Sequence, residues 1–405
     1  MSNELFLTLQ DASCILWENV VFKTTCSIYK NRFSPSKGRQ KELIRWKEAV
    51  CMEWKGFEIG DLQVKKPLIQ GGMGIGVSMA RLAAAVAREG GVGVLSAAQP
   101  GYLEPDFRSH TKEANLRALG KAIHEAKAQA AGGIIGVNVM CAADGYEDYV
   151  RCCVENGADL IVSGAGLPAE LPAYTADSPI KLAPIVSPPK AAKVLLKLWD
   201  KHYHRTADLV VIEGPMAGGH LGYSPEDVAR LDARGAYSYD AEIKEILDIV
   251  HGYEEKYGHH IPVVFGGGVY TREDIQHYLS LGLDGVQMAT RFVVTEECDA
   301  AQGFKDAYLA AKKEDIRIVK SPVGMPGRAL RNAFIKRAEE GRIPPKACWH
   351  CLRRCNPAET PYCITQALVN AVTGDTDEAL IFCGENVWRL HEMTTVPKLM
   401  QELFG

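Results

Sequence analysis

The chain has 405 residues, and its 46 Lys and Arg against 50 Asp and Glu give a formal net charge of −4 at pH 7. This near-neutral balance excludes a strongly basic nucleic-acid-binding protein, and no apolar run reaches the roughly 18 residues of a membrane span. Hydrophobic residues make up 47% of the chain, as in an ordinary globular protein of two or three domains or one large α/β barrel with additions.

Residues 1–51 differ from the rest of the chain, with scattered apolar side chains and a basic stretch from Lys30 to Lys41. Glu4 and Asp11 interrupt the segment early, which argues against both a secretory signal and an acid-poor transit peptide. We therefore expect a cytoplasmic protein with an N-terminal extension over 1–51. Translation from Met52 instead of Met1 is an open alternative.

Short runs rich in Val and Ile alternate with longer amphipathic stretches from Pro67 onward. The strand candidates are Pro67–Gln70, Val92–Leu95, Ile134–Val139, Leu160–Val162, Leu182–Val186, Leu209–Ile212, Pro262–Phe265 and Gly285–Met288. Continuous apolar strands separated by helices indicate a parallel sheet buried on both faces. Eight such units predict an α/β protein with a (β/α)8 barrel, and a doubly wound sheet is the alternative.

Glycines cluster directly after the predicted strands. Examples are Gly71-Gly-Met-Gly-Ile-Gly76, Gly164-Ala-Gly166, Gly214-Pro-Met-Ala-Gly-Gly219 and Gly266-Gly-Gly268. In a barrel these positions lie at the C-terminal face, where ligands bind and where glycine lets backbone N–H groups approach closely. The spacing in the first loop does not match a dinucleotide-binding fingerprint, and no P-loop motif is present. The repeated loops predict a large ligand on this face.

The loops after the seventh and eighth strands commonly bind phosphate in barrels of this kind. Here they contain Gly267 and Gly268, then Ala289 and Thr290. Their backbone N–H groups and the Thr290 hydroxyl are suited to a phosphate group. Arg291 follows directly, and either an assisting role or an ion pair that braces the loop is consistent with its position.

His220 lies between glycines after the sixth strand, in the motif Ala217-Gly-Gly-His-Leu-Gly222. A histidine in such a loop is unusual for a core residue. The ordinary pKa of histidine lies near neutrality, so we expect this side chain to exchange a proton with substrate.

These motifs together resemble the nitronate monooxygenase family, formerly called 2-nitropropane dioxygenase, and the related flavin-dependent enoyl-acyl-carrier-protein reductases. The motifs that carry the resemblance are Gln70-Gly-Gly-Met73, Gly136-Val-Asn138-Val, Ser163-Gly-Ala-Gly166, Ala217-Gly-Gly-His220, Gly266-Gly-Gly268 and Gln287-Met-Ala-Thr-Arg-Phe292. The resemblance runs from about Lys66 to Arg331 and implies a TIM barrel that binds FMN without a covalent link.

The resemblance also implies roles for individual residues. His220 is the active-site base or substrate anchor. The residues implied to contact FMN are Gly71, Gly72 and Met73 along the ring, Asn138 as a hydrogen-bonding group, Gly218 and Gly219 nearby, and Gly267, Gly268, Ala289 and Thr290 at the phosphate. A late Gly-Arg loop of the family approaches the active site, and Gly324-Met-Pro-Gly-Arg328 resembles it, although a structural role for Arg328 is an alternative.

The activity implied is oxidation of an alkyl nitronate, such as propionate 3-nitronate, with O2 to a carbonyl compound and nitrite. The first alternative is an enoyl-acyl-carrier-protein reductase that uses NAD(P)H. A flavin-binding protein without turnover is an alternative of another class. We expect a small-molecule substrate and no nucleic-acid or membrane partner. The sequence leaves the oligomeric state open.

Four cysteines follow the barrel at the spacing C-x2-C-x3-C-x7-C, at positions Cys348, Cys351, Cys355 and Cys363. Four thiols within sixteen residues are compatible with Zn or an iron–sulfur cluster, although the spacing matches neither the ferredoxin run nor a zinc ribbon. Reduced thiols in a compact cap are the alternative. We assign residues 52–335 to the FMN-binding barrel and 336–405 to a Cys-rich C-terminal cap. Cys152 and Cys153 lie in a helical stretch and are expected in the core.

Overall fold

The computed structural model describes residues 54–405 except 233, 234 and 236. The predicted extension over 1–51 and both candidate translation starts lie outside the described residues. Residues 55–405 form one compact unit. Among the described helices, none combines the length and apolarity that crossing a membrane requires.

Strands and helices alternate along the described chain, and we number them in chain order. The strands are β1 (Phe57–Ile59), β2 (Leu62–Val64), β3 (Leu68–Gln70), β4 (Gly93–Ser96), β5 (Ile135–Met140), β6 (Leu160–Gly164), β7 (Lys181–Val186), β8 (Val210–Glu213), β9 (Gly219–His220), β10 (Val263–Gly266), β11 (Gly285–Met288), β12 (Ile316–Lys320) and β13 (Pro326–Leu330). The helices are α1 (Ala80–Arg88), α2 (Thr111–Gln129), α3 (Tyr146–Glu155), α4 (Leu171–Tyr174), α5 (Pro189–Tyr203), α6 (Pro225–Asp232), α7 (Asp240–Tyr257), α8 (Arg272–Ser280), α9 (Thr290–Val293), α10 (Gln302–Leu309), α11 (Ala333–Glu340), α12 (Ile364–Thr373) and α13 (Val396–Phe404).

Eight parallel strands form the central sheet, in the order β3-β11-β10-β8-β7-β6-β5-β4. A parallel bridge between Ile69 and Val92 joins the two end strands. The Val92 N–H donates to the Leu68 carbonyl and the Gln70 N–H donates to the Val92 carbonyl, both at 2.9 Å. The predicted (β/α)8 barrel is confirmed, and the doubly wound alternative is wrong.

The barrel strands are almost entirely buried because helices cover the outer face and apolar side chains fill the interior. A hairpin of β1 and β2 closes the N-terminal end, where Phe57, Ile59 and Val64 pack into the interior cluster. The sequence analysis did not predict this hairpin, since three-residue strands are too short for a periodic signal. With this end filled, the opposite face is the one that is open to a ligand.

A second, antiparallel sheet stands on that opposite face, in the order β12-β13-β9. Its central strand pairs with β9, so that Gly327 lies opposite His220 and Arg328 opposite Gly219. Side chains from this sheet and from the C-terminal segment share a separate apolar cluster. Its buried members are Val319, Ala329, Phe334, Ile335, Tyr362, Ile364, Ala367 and Leu380.

The C-terminal segment returns to the barrel after this cluster. Its final helix, α13, packs against both α8 and α1. Thr395 caps this helix by accepting a hydrogen bond from the Lys398 N–H, and the buried face presents Val396, Leu399 and Leu403. Helix α13 therefore occupies the gap in the outer ring between the first and the seventh barrel helices. The predicted boundary at residue 335 thus falls between segments that share one apolar cluster.

Candidate active site

The main pocket lies between the C-terminal ends of the barrel strands and the antiparallel sheet, with a cavity of about 280 Å³. Every residue to which the sequence analysis assigned a catalytic or FMN-binding role lines it. These residues are Gly71, Gly72, Met73, Asn138, Gly218, Gly219, His220, Gly267, Gly268, Ala289 and Thr290. Residues that are up to 219 positions apart in the chain therefore meet in one cavity.

The first glycine loop follows β3 and forms one wall. The Gly71 N–H donates to the Met288 carbonyl at 2.8 Å, which ties this loop to the end of β11. The Met73 N–H donates to the Ser78 hydroxyl at 2.8 Å, which fixes the turn before α1. Asn138 lies in the middle of β5, and its side chain also borders the pocket. This wall is therefore built mainly from immobilised backbone.

His220 lies on β9, held between the barrel and the antiparallel sheet. Its Nε2 atom is 2.7 Å from the Ser321 hydroxyl, and its ring meets the ring of Phe382 edge-on, with 4.9 Å between the centroids. Burial lowers the pKa of His220 to about 4. The expectation of a pKa near neutrality was therefore wrong, because burial removes hydration from the imidazolium and no ion pair with a described carboxylate offsets the loss. The imidazole is neutral at physiological pH.

The glycines before His220 allow the C-terminal segment to approach closely. A Cβ placed on Gly218 would lie 2.6 Å from the carbonyl carbon of Cys383, which is closer than such atoms can pack. The Tyr308 hydroxyl donates to the carbonyl of Phe382 and supports this approach from below. Gly218 therefore faces the segment that closes the pocket.

The predicted phosphate loops follow the paired strands β10 and β11. Gly268 has a φ of +88°, and a Cβ there would lie 2.9 Å from the Met216 sulfur, so only glycine is tolerated. Thr290 begins α9, and its hydroxyl accepts the Gly384 N–H at 3.2 Å. Asn386 donates to the Gly268 carbonyl at 2.7 Å. The two loops lie side by side, with their outer edge covered by the C-terminal segment.

Two arginines near the pocket have structural roles. Arg291 donates to the Tyr270 carbonyl at 3.0 Å and pairs with Glu402 at 2.6 Å, so it braces the loop. Arg328 is 1% exposed. It donates to the carbonyls of Pro215 and Ala217, at 2.6 and 2.9 Å, and its Nε is 3.0 Å from Glu385. The Gly-Arg loop does approach the site, and its arginine holds the backbone of the loop that precedes His220.

The C-terminal segment forms a wall of the pocket that the sequence analysis did not place. The stretch Leu380–Gly384 reads as a buried run in the sequence, and the structure sets Leu380, Phe382, Cys383 and Gly384 against the cavity. Ile364, Thr365 and Leu368 of α12 line it as well. No local motif signals this placement, because it depends on docking between distant segments.

Glu213 is a second functional residue that the sequence analysis missed. It ends β8 and lines the pocket, where its Oε2 accepts the Gly222 N–H at 2.8 Å and the Ser187 hydroxyl at 3.0 Å. Burial raises the pKa of Glu213 to about 7, although these two hydrogen bonds lower it. The signal was available as an acidic residue at the end of an apolar strand, directly before a glycine.

The four cysteines of the C-terminal segment line a small cavity of about 50 Å³. Among the described residues, no three His, Cys, Asp or Glu side chains are grouped so that they could hold a metal ion. Burial raises the pKa of Cys351 to about 11 and also raises that of Cys363. The structure does not group the predicted ligands Cys348, Cys351, Cys355 and Cys363 as a metal site. Cys152 and Cys153 are buried in α3, as expected.

The residues present fit a flavin that carries a phosphate. The glycine at position 268 leaves room that a Cβ would fill, and the adjacent loop ends with the N–H groups of a short helix. The pocket between these loops and His220 is enclosed by backbone, methionine and small side chains, which suits a planar ring. A closed barrel with such a site agrees with the flavin-binding barrel that the sequence resemblance implies.

Comparisons with known proteins agree with this class. The profile of the nitronate monooxygenase family matches residues 56–405. The chain is 27% identical to a 5-hydroxy-7a-methyl-1-oxo-octahydro-1H-indene-4-carboxyl-CoA dehydrogenase of Mycobacterium tuberculosis over 69% of this chain and 66% of that protein. It is 31% identical to a probable nitronate monooxygenase of Staphylococcus aureus over 34% of this chain and 36% of that one.

Solved structures share the fold. FabK from Thermotoga maritima matches with a TM-score of 0.63 at 24% identity, covering 83% of this chain and 91% of that one. A nitroalkane oxidase from Streptomyces ansochromogenes matches with a TM-score of 0.63 at 21% identity, covering 83% and 94%. The chain belongs to the nitronate monooxygenase family. It spans 66% and 65% of the length of the two carboxyl-CoA dehydrogenases that it matches.

Proposed function

We propose that this chain is an FMN-dependent enzyme that oxidises alkyl nitronates with O2 to carbonyl compounds and nitrite. The observation that supports this most is that the eleven residues to which the family resemblance gave a role all line one pocket, with His220 among them. FMN, when bound, would supply the electron transfer between the nitronate and O2. The protein itself then has to bind and orient the substrate and to exclude water from the pocket.

The phosphate of FMN would be held by Gly267, Gly268, Ala289 and Thr290, on the loops that follow β10 and β11. The ring would lie along Gly71, Gly72 and Met73, with Asn138 as its polar neighbour and Gly218 and Gly219 on the other side.

His220 acts as a neutral hydrogen-bonding anchor in this proposal. Its Nε2 is engaged by Ser321, which fixes the plane of the ring. A general base works best with a pKa near the working pH, and the pKa of His220 is about 4. The imidazole is therefore a weak base toward a carbon-bound proton. We infer that the substrate arrives as the nitronate anion and not as the neutral nitroalkane.

A second candidate is an oxidoreductase that acts on a thioester substrate with NAD(P)H. It is favoured by the names of two relatives, the carboxyl-CoA dehydrogenases of Mycobacterium tuberculosis and Rhodococcus jostii, which match 69% and 68% of this chain. The pocket extends from His220 to the helix α12, which leaves space for an acyl chain along apolar side chains.

The decisive experiment begins with the absorbance spectrum of the purified protein, in which bound FMN is expected. Oxygen uptake and nitrite release are then measured with propionate 3-nitronate, in parallel with NADH and NADPH oxidation in the presence of acyl-CoA substrates. Nitrite release without nicotinamide oxidation supports the first candidate, and the reverse pattern supports the second. Protein that cannot be reconstituted with FMN contradicts both.

His220→Ala tests the role of the anchor. The variant is expected to keep FMN, because the cofactor contacts are supplied by glycine loops, and to lose about a hundredfold or more in kcat/KM for the nitronate. His202→Ala is the matched control, since His202 is exposed on α5 and should behave like the parent protein. Unchanged activity in His220→Ala would refute the anchor role.

A further inference from the structure

Glu213 presents to the pocket a carboxyl group that has no cationic partner among the described residues. Its Oε2 holds the backbone of Gly222 and the hydroxyl of Ser187. Its Oε1 forms no hydrogen bond with the described residues, and the side chain borders the cavity. One oxygen therefore anchors the loop that carries His220, while the other is free toward a ligand.

Among the described residues, the groups that surround Glu213 supply no positive charge. Ser187 follows the end of β7, and the phenol groups of Tyr223 and Tyr239 lie in contact with each other beside it, with pKa values that burial raises well above neutrality. Glu242 on α7 lies behind the two phenols and adds negative charge, which the raised pKa of both tyrosines reflects. His220, on the same loop, is neutral.

The buried cation that holds the loop after Glu213, Arg328, is already paired. Arg328 contacts the carbonyls of Pro215 and Ala217, but its charge is met by Glu385 on the C-terminal segment. Among the described residues, Glu213 forms no ion pair with Lys, Arg or His. An ionised Glu213 would therefore place an unbalanced negative charge in the cavity, which is costly in a dry site.

We propose that Glu213 is the proton-exchanging group of this pocket, and that an anionic ligand binds together with a proton taken up by its carboxyl group. The protonated Oε1 donates a hydrogen bond to the ligand, whereas the ionised form repels it. The identity of the ligand as a nitronate rests on the proposed function. The titration of the Glu213 carboxyl group is independent of the substrate, because it is a property of the protein without any ligand.

The direction of the pH effect follows from the burial of this carboxyl. The pKa of Glu213 is raised from 4.5 to about 7, so the protonated form dominates below neutrality and is lost as the pH rises through 7. Binding of an anion requires the protonated form. The KM of the nitronate should therefore be constant below pH 7 and increase about tenfold per pH unit above it.

The first test measures the carboxyl group directly, by infrared spectroscopy of the purified protein between pH 5 and pH 9. The band of a protonated carboxylic acid should persist to neutrality and disappear with a midpoint near pH 7. It should be missing at neutrality from Glu213→Gln and retained in the control Glu226→Gln, in which an exposed carboxylate of α6 is changed. A parent protein without this band at pH 6 overturns the proposal, whatever the enzyme's substrate is.

The second test measures kcat and KM for propionate 3-nitronate over the same pH range. Glu213→Gln keeps an oxygen that accepts from Gly222 and Ser187, so the loop of His220 should remain in place. Its KM should no longer increase above pH 7, and FMN should stay bound. A KM that depends on pH in the same way in the parent and in Glu213→Gln overturns the assignment of the proton to this residue.

A purely structural role for Glu213 gives a different pattern. In that case Glu213→Gln, which preserves both hydrogen bonds, would leave the pH profile of KM intact, while Glu213→Ala alone would reduce kcat by displacing His220. If the infrared midpoint is found near 7 but nitronate is not turned over, the proton-exchanging group stands and the proposed substrate fails.

Discussion

The two sides of the pocket are built in different ways. On the barrel side, the pocket is lined by glycine backbone that is held by hydrogen bonds between neighbouring strand ends, as at Gly71 and Gly266. On the opposite side, it is lined by side chains such as Phe382, and Ser321 behind them holds His220; both are contributed by segments far along the chain. The barrel side suits a cofactor shared by a whole family, whereas the other side determines the environment of the reacting group. Variants that disturb one side only should separate cofactor binding from turnover.

The largest effect is expected from Arg328→Met, which breaks the connection between the two sides. Removing the buried guanidinium takes away its ion pair with Glu385 and its hydrogen bonds to Pro215 and Ala217, at a cost of about 3–5 kcal/mol in the free energy of unfolding. Urea denaturation measures this. Arg331→Met removes a comparable but exposed pair with Glu339 and should leave stability nearly unchanged. Equal stability of the two variants would show that Arg328 does not join the two sides.

The second-largest effect is expected from replacing Glu213 on the barrel side, and it concerns the pH dependence of the free energy of unfolding. Between pH 4.5 and about 7 the folded protein keeps a proton on this carboxyl that the unfolded chain releases, so the carboxyl lowers stability as the pH rises. Glu213→Gln should therefore gain about 1–3 kcal/mol relative to the parent at pH 8, and little at pH 4. Denaturation at the two pH values measures the difference, and a gain that is equal at both would contradict this reasoning.

Gly268→Ala tests the barrel side for cofactor binding. The added Cβ meets the Met216 sulfur at 2.9 Å in a backbone conformation that alanine rarely adopts, so FMN affinity should fall by about tenfold or more. Gly258→Ala is the matched control: Gly258 has a similar φ of +73° at the end of α7 but open space around it. Flavin fluorescence titration should show a loss of affinity for Gly268→Ala alone.

The smallest effect is expected from Ser321→Ala on the side-chain side. The change removes the hydroxyl that is 2.7 Å from His220 Nε2 and leaves the glycine loops untouched. The value of kcat/KM should fall by several-fold, consistent with the loss of one hydrogen bond, at unchanged FMN affinity. Ser280→Ala, an exposed change on α8, serves as the control. A loss of FMN affinity in Ser321→Ala would show that the two sides are not separable.

The barrel side could be predicted from sequence because its signals are local. Each strand is a short apolar run followed by glycine, and the predicted strand Gly285–Met288 agrees with the structure at both ends. His220 and the predicted phosphate loops lie at strand ends, where a barrel binds its ligand. The alternation of strands and helices placed these loops on one face, and the family resemblance supplied the roles expected of the eleven residues.

The other side could not be predicted, because it depends on docking between remote segments. Arg328 reads as a loop residue in sequence, and only its burial against Pro215 and Glu385 shows its structural role. The pKa of His220 is lowered by burial, and the ring of Phe382, which contacts it, is 162 positions away in the chain. Cysteine spacing suggested metal ligands, but spacing does not determine the directions in which thiols point.

The position of α13 has a consequence for how the chain acquires its cofactor. The ring of helices closes only when Val396–Phe404 packs against Ala80–Arg88, which lies more than 300 positions earlier in the chain. The stretch Leu380–Gly384, shortly before this last helix, forms one wall of the pocket. Contacts of such large sequence separation form late in folding. Loading of the flavin would then be the final step of maturation, and the bound cofactor would report that assembly is complete, while stabilising the finished protein by mass action.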